Sequence, residues 1–226
     1  MFGLSKIKKP VELEVLYPEI FEGVELVCHT GRHKKEFMKD HKHDQMSISS
    51  CYSMVEMQKK SLTFKCWSDM TINVSKDGLH FTTDAKVEGE NHTVQGKSLS
   101  YDKNFEIFKI QPPFVIRCRE PIQFVFCNTP FNFVDLKLPT GITNFYHQTN
   151  CNIFFYYSLN QEKTIELNFD DPLAHLVPLT DRRIKLKHTY DDDLHDKVAN
   201  CNRRLFSKHR QYKLFAKNIP QYWPTK

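Results

Sequence analysis

MTINVSKDGLHFTT, residues 70–83, decides the fold class. Two runs rich in Thr, Ile, Val and Phe flank Lys76-Asp77-Gly78, and Asp-Gly between alternating runs is a strong hairpin signal. The same reading extends on both sides. Upstream, Leu62 to Trp67 reads as a strand. Downstream, strands are predicted over Phe105–Ile110, Phe114–Arg119, Ile122–Cys127, Asn152–Tyr157, Thr164–Phe169, Leu173–Leu179 and Arg183–His188. They are short, and Pro-Pro, Glu-Pro and Asp-Asp-Pro breaks separate them. Many short strands with frequent turns predict a mainly β core from 62 to 189, built as a sandwich, jelly roll or compact barrel. Strands do not alternate regularly with helices, which argues against a parallel nucleotide-binding sheet.

The flanks differ from this core. Residues 1–61 form a mixed segment expected to pack on it. Val11-Glu12-Leu13-Glu14-Val15-Leu16 alternates like a half-buried strand, and Val24–Cys28 reads as a second one. Ser50–Lys60 has apolar residues at the spacing of a short helix, with Ser49 or Ser50 as its cap. Residues 190–226 change period: Leu194, Val198, Cys201, Leu205 and Tyr212 mark one helix face after three Asp residues that suit an N-terminus. The helix is predicted over Tyr190–Lys217, and the class is α+β overall.

The chain has 226 residues, a net charge of +5 and only 7 glycines, so a Gly-rich phosphate loop has little to be built from. Its 7 cysteines are an odd number with no C-x-x-C pair. Buried, reduced thiols are therefore expected, as in a reducing compartment. Met1–Pro10 is Lys-rich without an apolar core, so no secretory signal is expected, and no run approaches the roughly 20 apolar residues of a membrane span. The expected location is intracellular, or inside something assembled there.

Candidate chemistry is thin. His29, His41, His43 and Asp44, with His33, Asp40 and Cys28 nearby, carry metal-ligating groups. Lys34, Lys35, Lys39 and Lys42 lie among them and would oppose a cation, so a solvated loop is favoured and neither a metal nor another cofactor is expected. Ser47, Ser49, Ser50 and Cys51 lack the context of an activated nucleophile. The basic residues Arg203, Arg204, Lys208, Arg210 and Lys213 lack interleaved acids. They are the predicted partner-binding group, for an acidic protein surface, for self-association or, more weakly, for nucleic acid.

One resemblance runs in order along the chain. Tyr17-Pro18-Glu19 comes first, and Trp67-Ser68-Asp69 follows. Next are Phe124-Val125-Phe126-Cys127-Asn128-Thr129-Pro130-Phe131-Asn132 and Leu138-Pro139-Thr140-Gly141-Ile142. Asn152-Ile153-Phe154-Phe155 and Asp171-Pro172-Leu173-Ala174-His175-Leu176-Val177-Pro178-Leu179 complete it. Together these motifs resemble a family of uncharacterised proteins of marine T4-like phages, especially cyanophages. The chain departs from that pattern at Asp170-Asp171, His175 and Thr143-Asn144. The resemblance implies a phage context, in the host cytoplasm or the virion, and brings no activity with it. The expected function is a non-catalytic structural or host-interaction role. The alternative is a nucleotide-processing or metal-dependent enzyme on a dUTPase-like or cupin-like core. For the first of these, Thr140–Asn144 lacks the required Asp, and Asp170-Asp171 suits a turn.

Overall fold

The computed structural model describes residues 8–30, 52–75, 78–83, 92–95, 105–129, 137–149, 151–158, 160 and 162–206; within these, the side chains of 74–109 and 200–206 and a few others are not described. The described chain is mainly β. In order, its strands and helices are β1 (Val11–Tyr17), β2 (Val27–His29), α1 (Tyr52–Lys60), β3 (Leu62–Lys65), β4 (Met70–Ser75), β5 (Gly78–Thr83) and β6 (His92–Gln95). They continue with β7 (Phe105–Ile110), β8 (Val115–Cys118), β9 (Phe124–Cys127), β10 (Gly141–Thr143), β11 (Ile153–Ser158), β12 (Lys163–Leu167), β13 (Pro172–Pro178), β14 (Ile184–Tyr190) and α2 (Asp192–Phe206). A 3-10 turn, Glu19–Phe21, follows β1. No helix among the described residues is long and apolar enough to cross a membrane.

The strands form four sheets, ordered β14-β1-β8, β10-β9-β13-β3-β2, β11-β7-β6 and β12-β4-β5. The expected hairpin is present: β4 and β5 pair antiparallel from Met70↔Thr83 to Ser75↔Gly78. The N-terminal strands belong to the core sheets, β1 as a middle strand and β2 as an edge. β1 pairs antiparallel with β8 and parallel with β14, from Val11↔Ile184 to Tyr17↔Tyr190.

One hydrophobic core receives side chains from all four sheets. Val11, Leu13, Val15 and Tyr17 enter it from β1; Leu62, Phe64, Phe124 and Leu176 from the five-stranded sheet; Ile110, Ile153 and Phe155 from a third sheet; and Met70, Ile72 and Ile165 from the fourth. These alternate residues point one way because strand side chains have a period of two. The Tyr17 hydroxyl accepts the Val27 amide at 3.2 Å, and its ring stacks on Tyr190 with centroids 5.1 Å apart. That joins β1, β2 and β14 at one end.

The opposite face of β1 carries Glu12, Glu14 and Leu16. Leu16 and Val115 are covered by Leu194, Val198 and Ala199 of α2, so the apolar stripe read from the sequence does pack on the β core at these positions. Asp191 caps this helix, its Oδ1 accepting the Leu194 amide at 2.8 Å. The helix is described to Phe206; the rest of the predicted span to Lys217 lies outside the described residues.

Glu14 is 6% exposed and Arg117 7%. Arg117 Nε donates to Glu14 Oε2 at 2.7 Å, while Lys187 Nζ at 2.7 Å and Thr189 Oγ1 at 3.0 Å both donate to Oε1. This is a cross-strand row: Glu14 is opposite Arg117 on one side and Lys187 on the other. Burial pushes the Glu14 carboxyl up, but the Lys187 bond, the Arg117 charge and the remaining hydrogen bonds outweigh it and hold the group below its ordinary value.

Candidate functional site

A cleft of about 230 Å³ opens beside β10, the end strand of the five-stranded sheet. β9 contributes Phe126 and β10 contributes Gly141, Ile142 and Thr143. Pro139, Phe145, Gln148, Cys151 and Asn152 come from the flanking segments, and Phe154 from β11. Ile142 is 66% exposed at the rim, whereas Phe145 and Cys151 are buried at the base.

Local structure explains why these walls are held. Asn144 starts a turn: its side-chain Oδ1 accepts the Tyr146 amide at 3.0 Å, and its carbonyl accepts the amides of His147 at 3.0 Å and Gln148 at 2.9 Å. Asn is suited to such turns because its side chain mimics the backbone. The turn is tied to β8, where the Ile116 amide donates to Thr149 and the Cys118 amide to Phe145. Behind the cleft, Phe145 packs on Phe124 and Phe126 on Phe64, each with ring centroids 5.3 Å apart. Across it, the Asn128 side chain accepts the Leu138 amide at 2.8 Å and positions the segment leading to Pro139.

The polar groups of this loop are incompletely used. Asn152 Oδ1, His147 Nδ1 and Thr149 Oγ1 are buried and have no hydrogen-bond partner among the described residues. Buried polar atoms are nearly always paired, so three such atoms within six residues need a physical reason.

Burial raises the thiols of Cys66, Cys118, Cys127 and Cys151 above their ordinary value. Cys28, Cys66, Cys118, Cys127 and Cys151 are thiols, not halves of disulfides. Burial pushes the Cys151 thiol well above its ordinary value and Cys66 up to about 11 from 9.0. Cys51 and the side chain of Cys201 lie outside the described residues. At pH 8, a shift of two units lowers the Cys66 thiolate fraction about a hundredfold, and the thiolate is the reactive form. Native protein should therefore alkylate at Cys66 about a hundredfold more slowly than unfolded protein, as followed by peptide mass spectrometry; equal rates would refute the assignment of Cys66 as a buried, inert thiol.

Of the residues singled out in the sequence, His29 is placed on β2, half-buried and opposite Leu62, and Cys28 is buried beside it. His41, His43 and Asp44 lie outside the described residues, as do His33, Asp40, Ser47, Ser49 and Ser50. Among the described residues, no group of three or more His, Cys, Asp or Glu side chains is placed to hold a metal ion. Arg203 and Arg204 fall on α2 with their side chains undescribed, and Lys208, Arg210 and Lys213 lie beyond the described residues. Asp170 and Asp171 do sit in a turn: Asp170 has φ 73°, and Asp171 Oδ2 accepts the Asn168 amide at 2.7 Å.

Sequence reasoning missed the cleft. Its phenylalanines come from three separated segments, and no local pattern in the sequence brings them together. No family model matches the chain, and no curated protein matches it.

Proposed function

We propose that the chain is a non-catalytic protein of a phage, built into the particle or acting on a host partner, with the basic segment from Lys197 to Lys213 as its contact element. The observation that supports this is the way α2 is used. It buries Leu194 and Val198 on β1 and β8, while Lys197 is exposed. A helix docked by one stripe turns its remaining faces outward, and Arg204 follows Lys197 by seven residues, or two turns. The motif resemblance supplies the phage context. The sheets that share one core suit a sandwich.

Reversing Arg203, Arg204 and Arg210 to Glu tests the reading. Exposed charges typically alter stability by less than about 0.5 kcal/mol, so the thermal midpoint should hold. Particle incorporation, or binding to the host partner, should fall, and fall further at low salt, where screening is weaker. Unchanged incorporation and unchanged binding would overturn it. A screen of nucleotides and divalent metals by thermal shift tests the enzyme alternative, since a ligand at a hundredfold excess over its Kd stabilises by about 2.7 kcal/mol.

A further inference from the structure

The cleft beside β10 has a composition that restricts what can enter it. Phe126, Phe145 and Phe154, with Pro139 and Ile142, supply flat or aliphatic walls. Among the described residues the lining contains no Lys, Arg, His, Asp or Glu, and the Cys151 thiol is kept neutral by burial. An ionised ligand would lose its hydration there without gaining a counter-charge, which is unfavourable. At about 230 Å³ the cleft is smaller than the roughly 300–1,000 Å³ of sites for drug-sized ligands, so it suits one ring.

The polar lining sets the edge of that ring. Gln148 and Asn152 bring carboxamides, each presenting a donor beside an acceptor. Among the described residues Asn152 Oδ1 is a buried acceptor without a partner, a cost that a ligand N–H would remove. The terminal torsion of an Asn side chain is soft, so the amide can turn its oxygen towards a ligand. We propose that this cleft binds a single neutral, planar ring whose edge carries an N–H beside a carbonyl, as in a lactam, with Asn152 pairing to that edge. This goes beyond the phage-partner reading and stands without it, because it uses no residue of α2.

The test uses the full chain and three small probes. 2-Pyridone has the required edge, N-methyl-2-pyridone keeps the ring but lacks the donor, and benzoate is charged. Titrations followed by amide chemical shifts should show 2-pyridone perturbing the residues around 141–152, together with Phe126 and Phe154. N-Methyl-2-pyridone should bind at least about fivefold more weakly, the loss expected for one hydrogen bond, and benzoate should not bind. Asn152→Leu should abolish the difference between the two pyridones. The proposal is overturned if 2-pyridone causes no shifts, if its shifts lie elsewhere, or if methylation leaves the affinity unchanged. The comparison of probes on the unaltered protein decides the matter even if Asn152→Leu fails to fold.

Discussion

Replacing Glu14 with alanine should destabilise the protein by about 3–5 kcal/mol, the range for removing one partner of a buried ion pair. Arg117, 7% exposed, would keep its charge with its principal carboxylate gone, and Lys187 and Thr189 would lose their shared acceptor. The loss comes from the stranded cation more than from the pair itself. Replacing Glu14, Arg117 and Lys187 together with methionine should therefore recover most of it. Equilibrium urea unfolding of the single and triple variants checks both statements. If Glu14→Ala costs less than about 1 kcal/mol, the pair is not the buried one described.

The same network sets an acid limit. The folded Glu14 carboxyl lies below its ordinary value of 4.5. Its contribution is therefore complete above that pH and is lost as the pH falls through the folded value. Unfolding curves should show this loss in the parent and a shallower acid slope in Glu14→Gln.

The second large effect is expected at Phe64, which is fully buried. Its ring meets Phe114 and Phe126 edge-on, both at 5.3 Å between centroids, and its strand pairs with β2 and β13. Phe64→Ala should cost about 3–5 kcal/mol through lost burial and the cavity left behind. Phe126 also lines the cleft, so the same variant should loosen that wall and weaken 2-pyridone binding. Phe64→Leu should restore much of the stability, as tolerated hydrophobic exchanges do. Thermal and urea unfolding with the pyridone titration on each variant separates the two effects. Were Phe64→Ala as stable as the parent, the described core would be wrong at its centre.

The sequence was most legible where the information is local. The Lys76-Asp77-Gly78 signal identified the strands Met70–Ser75 and Gly78–Thr83, and alternation found Val11–Tyr17. The predicted strand Phe114–Arg119 is trimmed to Val115–Cys118. His92–Gln95 was missed because its polar residues carry no strand pattern, and Gly141–Thr143 because three residues show no period. Alternation also implied that Glu12 and Glu14 are equally solvated. Glu14 is buried because β8 and β14 bring Arg117 and Lys187 across from distant parts of the chain, and no local pattern encodes that. The parallel match of β1 with β14 is likewise non-local: it joins the N-terminal flank to the last strand of the predicted 62–189 core and could not be read from either.

That match has a mechanical consequence. The chain enters β1 at Val11 and leaves β14 at Tyr190, and in a parallel pair these points lie at opposite ends of one ladder. Tension applied between the entering and leaving chain therefore slides the two strands past each other. The hydrogen bonds between them are loaded together in shear and cannot be unzipped one at a time. Resistance to pulling is governed by the rate of crossing that barrier and not by the equilibrium stability. Held by its two ends, this fold would yield late and abruptly, even with the rest of the molecule only marginally stable.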